Sequence, residues 1–202
     1  MLTQRSNRLT PADYLHMERS AEFRSEYLDG EIFAMAGASR SHNQITANLV
    51  RVLGNQLGGR SCTVFSSDMK VRVDRPRKFC YPDVVAVCGD ARFEDDQEDV
   101  LLNPVLIIEV LSDSTEAYDR GLKFFHYQQI PSLMEYILVS QRSRLVERFI
   151  RQTDNGWHYF EFHEPDVGLN LVTIDCSLRL GDIYDKVPGM GEVDEEAGME
   201  LP

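Results

Sequence analysis

The hydrophobic period changes several times along the chain, and each change marks an element. Ile45, Leu49, Leu53 and Leu57 recur at steps of four, the spacing of one helix face, and Gly58-Gly59 follows as a stop. Ahead of them Ser41-His42-Asn43-Gln44 has capping-box spacing, with Ser41 predicted to accept a backbone N–H and Gln44 to reach back. From Thr63 to Val73 the period falls to two: Met69, Val71 and Val73 share one face of a predicted strand, and Lys70, Arg72 and Asp74 the other. Arg75-Pro76-Arg77-Lys78 reads as the turn that follows. Tyr81 to Cys88 and Val105 to Leu111 are nearly unbroken apolar runs rich in Val and Ile, as expected of strands covered on both faces.

Turn and cap residues place the remaining elements. Thr10-Pro11 predicts an early helix, with threonine as cap and proline at the first helical position, and Tyr14 and Leu15 begin its apolar content. Glu26-Tyr27-Leu28 and Glu31-Ile32-Phe33 flank Asp29-Gly30, a hairpin turn. Ser114-Thr115 is predicted to cap a helix running to about Gln129, stopped by Pro131, with a strand over Glu135 to Val139. A helix between two strands implies a parallel crossover. Leu145 to Ile150 and Trp157 to Phe162 around Asp154-Asn155-Gly156 predict a second hairpin.

The fold class is therefore α/β: a core of helix, three strands, helix and strand over residues 41–139, preceded by a helix-hairpin unit and followed by a C-terminal β hairpin, rather than a doubly wound sheet. A chain of 202 residues with 43% hydrophobic content supports one domain, placed at 1–188, with an acidic, disordered tail expected over 189–202.

Charge changes the picture less than its total suggests. The net charge of -12 argues against nucleic acid, which calls for a positive surface. Ten acidic residues, however, lie in two segments free of Lys and Arg: Glu94, Asp95, Asp96, Glu98 and Asp99 in one, Glu192, Asp194, Glu195, Glu196 and Glu200 in the other. The first reads as a solvated loop. The rest of the chain holds 23 acidic against 21 basic residues, with a local basic run, Lys70, Arg72, Arg75, Arg77 and Lys78, as a candidate phosphate contact. Cys62, Cys80, Cys88 and Cys176 lack Cys-x-x-Cys spacing and read as reduced thiols. No apolar stretch has membrane-spanning length and Met-Leu-Thr-Gln-Arg is no signal peptide, so a soluble cytoplasmic protein is expected.

Candidate chemistry centres on two carboxylates inside apolar strands, Asp83 near the start of one and Glu109 near the end of another. A buried carboxylate needs a cation, a hydrogen-bond network or a solvent opening. Together with the Val110 carbonyl, the pair would suit a magnesium ion that keeps several waters, with manganese as a substitute. Lys123 lies on the following helix. Its plain alternative is a surface pair with Asp119, four residues earlier. His42, at a helix start, is an auxiliary candidate; Glu31, Asp68 and Tyr127 are lesser ones, for which turn, strand-edge and packing roles are the default.

Tyr27-Leu-Asp-Gly-Glu31, Ser41-His42-Asn43, Tyr81-Pro-Asp83-Val-Val, Ile108-Glu109-Val-Leu-Ser112, Asp119-Arg-Gly-Leu-Lys123, Tyr127 and Glu135-Tyr136, in this order, resemble the Uma-two family of restriction-endonuclease-like proteins. The resemblance implies the PD-(D/E)xK nuclease fold, a metal-dependent endonuclease acting on DNA, and Asp83 and Glu109 as metal ligands. The superfamily's lysine, two residues after the glutamate, is Leu111 here, so Lys123 would be its migrated equivalent. That requires Lys123 to project back over the strand ends. If it turned outward to Asp119, the chain would instead be a catalytically inactive binding module or a dimeric interaction protein on the same fold, with a homodimer possible under either reading.

Overall fold

A computed structural model of the protein describes residues 8–190. Its centre is a six-stranded sheet in the order β11-β10-β9-β8-β6-β3. These strands are β3 (Cys62–Ser66), β6 (Val84–Cys88), β8 (Leu106–Leu111), β9 (Glu135–Ser140), β10 (Val146–Arg151) and β11 (Trp157–Phe162). The two apolar runs form β6 and β8, and β8 and β9 are parallel across a helical crossover, as the sequence predicted.

Strand alternation divides this sheet into two buried faces. Val84, Ala86, Leu106, Ile108 and Val110 point to the cluster containing Ile45, Leu49, Leu53 and Leu57 of α2 (Arg40–Leu57). Val85, Val87, Ile107 and Leu111 point to a second cluster with Tyr127, Phe124, Tyr136 and Leu138. The capping hydroxyl of α2 is that of Ser39, which accepts the His42 N–H at 3.1 Å, not that of Ser41. Helix α1 (Pro11–Glu18) has the expected Thr10 cap, completed as a capping box by Asp13.

A five-stranded sheet, β2-β1-β5-β4-β7, is the main departure from expectation. It is built from β1 (Ser25–Leu28), β2 (Glu31–Ala34), β4 (Lys70–Val73), β5 (Lys78–Cys80) and β7 (Val100–Leu101). The single strand expected over 63–73 is two: Ser67-Asp68 turns the chain out of the central sheet, and β4 enters the second. The three core strands between the helices are thus β3, β6 and β8, interrupted by excursions into this sheet. Asp29 and Gly30 turn β1 into β2 with φ of 46° and 98°, and a Cβ on Gly30 would lie 2.6 Å from the Arg8 Cβ, so only glycine fits. On its outer side, Tyr27, Phe79 and Val100 pack against Tyr14 and Leu15 of α1.

The crossover after β8 is not one regular helix. It runs as α3 (Glu116–Tyr118), a π-helical segment (Asp119–Lys123) and α4 (Phe124–Tyr127), and its cap Thr115 makes no capping hydrogen bond. After the expected hairpin, β12 (Gly168–Leu171), β13 (Cys176–Arg179) and α5 (Leu180–Ile183) cover the α2 side of the core. Asn48 of α2 ties them down by donating to the Ile183 and Asp185 carbonyls at 3.0 and 2.8 Å. Of the expected tail, Gly189 and Met190 are among the described residues, with Met190 in the core; the rest, 191–202, lies outside them.

The cysteine reading holds for Cys80 and Cys176, which are buried and free. It fails for Cys62 and Cys88, which are disulfide-bonded because antiparallel β3 and β6 set them directly opposite each other. The acidic loop is not simply solvated either. Asp95 and Asp99 clasp Arg19 at 2.8 and 2.6 Å, Asp99 holds the buried Lys70 at 2.9 Å, and Glu94 pairs with Arg72. Among the described residues, no helix is long and apolar enough to cross a membrane.

Candidate active site

Asp83 immediately precedes β6, and the β6–β8 register of Val84 opposite Ile108 carries forward to set Asp83 opposite Glu109. By alternation both side chains lie on the face shared with Ile107 and Leu111, the face covered by the crossover helix and the second sheet. Leu111, where the superfamily's lysine would stand, is 3% exposed and belongs to that apolar cluster. A different lysine reaches this face, from the crossover. Lys123 extends from the π segment so that its Nζ lies 2.8 Å from Glu109 Oε1. Asp119 is also within 3.4 Å of this ammonium, but it is buried, so the Asp119 pair and the inward projection are one arrangement, not alternatives.

Each of the two acids uses one oxygen to be held. Asp83 Oδ2 accepts the Val110 N–H at 2.7 Å and meets His42 Nε2 at 3.2 Å. Glu109 Oε1 receives Lys123 and the Tyr127 hydroxyl, the latter at 2.9 Å. Asp83 Oδ1 and Glu109 Oε2 have no hydrogen-bond partner among the described residues. A strand residue presents its N–H and C=O to the same side, so the Val110 carbonyl faces the Asp83 side as well. Two free carboxylate oxygens and a carbonyl are hard donors that fit a magnesium ion completing its shell with water. Among the described residues, no three His, Cys, Asp or Glu side chains are grouped to hold a metal by themselves.

Two further groups come from the second sheet: Glu26, which sequence reasoning missed, and Lys78, which it places in the basic run as a phosphate contact. Glu26 of β1 lies 3.6 Å from Lys123 Nζ, and Lys78 of β5 lies 3.7 Å from Glu26. Lys78 is 1% exposed, donates to the Tyr118 hydroxyl and stacks its ammonium 4.8 Å from that ring. The available signals were a carboxylate in a strand beside a turn, and a lysine leading directly into Phe79-Cys80. Three carboxylates, Glu26, Glu109 and Asp119, therefore lie around two ammoniums, with Asp83 on the far side of Glu109 paired to His42, and the cluster is short of positive charge. Burial pushes the Glu109 carboxyl up to about 8; Lys123 pulls it down, while Asp119 and Asp83 add to the rise. Burial opposes the Lys123 charge, yet Glu109, Glu26 and Asp119 together hold that ammonium well above the usual lysine range.

Of the lesser candidates, Tyr127 stands in the site through its bond to Glu109, and the other two lie elsewhere. Glu31 is exposed on β2 and lines a shallow depression with Asp29, Leu122 and His126. Asp68 is exposed and pairs with Arg24 at 2.8 Å. The basic run does not form one surface: Lys70 and Lys78 are buried, Arg72 is taken by Glu94 and Asp74, and only Arg75 and Arg77 are exposed and without an ion pair among the described residues.

An α2, β3, β6, β8, helix, β9 order with acids at neighbouring strand ends defines a restriction-endonuclease-like fold. A crystal structure from Anabaena variabilis, described as "a putative nuclease belonging to DUF820", has this fold with a TM-score of 0.69 at 17% identity, over 86% of this chain and 96% of that one. The sequence model of the Uma2 family, described as "Putative restriction endonuclease", matches residues 11–180, and the chain belongs to that family. Two relatives from Synechocystis sp. are uncharacterised: sll1609 is 40% identical over 74% of this chain and 84% of its own length, and slr1290 is 35% identical over 88% and 92%.

Proposed function

We propose that the protein is a divalent-cation-dependent endonuclease that hydrolyses phosphodiester bonds, with DNA as substrate. The observation that carries this reading is the division of labour within each acid: one oxygen is fixed by the protein, the other is free, and Glu109 sits beside a buried lysine. Asp83, Glu109 and the Val110 carbonyl would hold Mg2+, or Mn2+ in its place. The bound ion supplies a more acidic water and neutralises charge developing on the phosphate.

The chain's own residues do the rest. Lys123 keeps its proton in this setting, so it acts as a hydrogen-bond donor and charge that orients the attacking water or a phosphate oxygen, not as a base. Tyr127 and His42 fix the two carboxylates by occupying their inner oxygens. Arg75 and Arg77 are the remaining candidates for contact with phosphates away from the site.

The test is cleavage of supercoiled plasmid, single-stranded DNA and RNA with Mg2+ or Mn2+, comparing wild type with Asp83→Asn and Lys123→Ala. Cleavage of DNA that both substitutions remove is the expected result. Activity surviving both would sink the assignment. A non-catalytic binding module is the second reading, favoured by the Lys123 ammonium already seated on Glu109. Calorimetric titration separates the two: Mn2+ binding that Glu109→Ala abolishes counts against the binding module.

A further inference from the structure

Three carboxylates from three different elements converge on the Lys123 ammonium: Glu109 of the central sheet at 2.8 Å, Asp119 of its own helix at 3.4 Å and Glu26 of the second sheet at 3.6 Å. An ammonium has three donors and is directed by where the acceptors stand. Asp119 is a local partner, one helical turn away, available to Lys123 before any tertiary contact forms. Left to that partner, the side chain would fold back along its helix. Glu26 lies outside the helix, on the sheet packed over the site.

Glu26 is itself held in place. Its Oε1 is 3.4 Å from the Tyr81 backbone N–H, which donates to it, and its Oε2 is 3.7 Å from Lys78 Nζ. Among the described residues Lys78 has no other carboxylate partner, and the Tyr118 hydroxyl and ring confine it. At 3.6 to 3.7 Å these are ion-pair distances longer than hydrogen bonds, so Glu26 guides by charge while Glu109 takes the short contact.

We propose that Glu26 is a positioning residue for Lys123, drawing its ammonium off Asp119 and across to Glu109. The second sheet thereby becomes part of the nuclease centre rather than a cover over it. This rests on the reading of Asp83, Glu109 and Lys123 as that centre.

The test compares wild type with Glu26→Gln, Glu26→Asp, Lys78→Met and the double variant Glu26→Gln/Lys78→Met, in cleavage kinetics and in crystal structures. Glu26→Gln is expected to lower kcat about 10- to 100-fold, the usual cost of losing a group that orients a functional side chain. KM should stay within about threefold, because substrate binding is not what the residue serves. Glu26→Asp, which keeps the charge, should recover part of the loss, and adding Lys78→Met should not.

In crystals of Glu26→Gln the ammonium should sit closer to Asp119 than to Glu109. The proposal is overturned if kcat of Glu26→Gln stays within about twofold of wild type, or if the double variant regains wild-type kcat, which would make Glu26 only the counterion of Lys78. Should Glu26→Gln not fold, Glu26→Asp decides: an unchanged kcat overturns the proposal and a reduced one supports it. Should wild type cleave no nucleic acid, the functional reading fails by itself. The Lys123 position in Glu26→Gln, or in Glu26→Asp if that variant alone folds, then decides the positioning role: an unmoved ammonium overturns it.

Discussion

The two sheets contribute to one site in opposite ways. The central sheet presents Asp83 and Glu109 from strands buried on both faces, fixed by ladder pairing and by the Val110 N–H. The second sheet presents Glu26 and Lys78 from short strands, and they reach the site only because that sheet closes over it. One sheet holds the candidate chemistry; the other sets the charge around it. A buried centre with more carboxylates than ammoniums is costly, and it persists here because its parts are anchored on separate elements.

Substitutions on the central side should have the largest effects. Asp83→Asn and Glu109→Gln are expected to cut plasmid cleavage on the order of 10^3-fold, with folding retained by circular dichroism. A comparable loss from Lys78→Met would erase the distinction between the sheets. Lys123→Ala leaves Glu109, Asp119 and Glu26 facing one another, and should cost roughly 3 to 5 kcal/mol in denaturant unfolding besides activity.

Leu111→Lys restores the superfamily spacing but inserts a charge into the apolar cluster around Ile107 and Leu138. It should destabilise the fold by on the order of 3 kcal/mol in the same unfolding experiment. A stable Leu111→Lys protein would show that this face tolerates a lysine at either position.

Protonation offers a finer test of the central side. Glu109 titrates near 8 rather than at its ordinary 4.5, so below that pH a proton must leave before its carboxylate can bind a cation. Apparent Mn2+ affinity in calorimetry should rise about tenfold per pH unit up to that point and then level. The sign for stability is opposite. Without metal, the folded chain keeps a proton that the unfolded chain loses above 4.5, so this contribution declines as pH rises from 4.5 to about 8. Melting curves of Glu109→Gln should lack that decline.

The smallest effect belongs to the rim. Removing Arg75 or Arg77 should leave kcat unchanged and reduce the salt slope of DNA binding by about 1 each. An unchanged slope would remove both from the interface.

Periodicity made the central layer legible. Ile45 to Leu57, the two apolar runs and the crossover were readable because covered strands and a helix stripe leave long regular patterns. Asp83 and Glu109 stood out as carboxylates interrupting those runs. The second sheet left a fainter trace: its β1–β2 hairpin is legible from Asp29-Gly30, but β4, β5 and β7 are two to four residues long, and the Ser67-Asp68 turn sits inside one alternating stretch. Lys78 reads as part of a turn and its basic run for the same reason, and Cys62 and Cys88 read as reduced thiols because register, not spacing, pairs them.

By itself, then, the chain's pattern determined the core order, the acidic pair and the absence of a lysine at 111. Only the tertiary structure decided that Lys123 reaches Glu109, since a helix places a side chain by its packing and its π segment, neither of which has a periodic signature. It also decided that Glu26 and Lys78 belong to the site. Their charges were visible as residues, but which charges meet depends on which sheets close on each other, and that is set by burial summed over the whole domain.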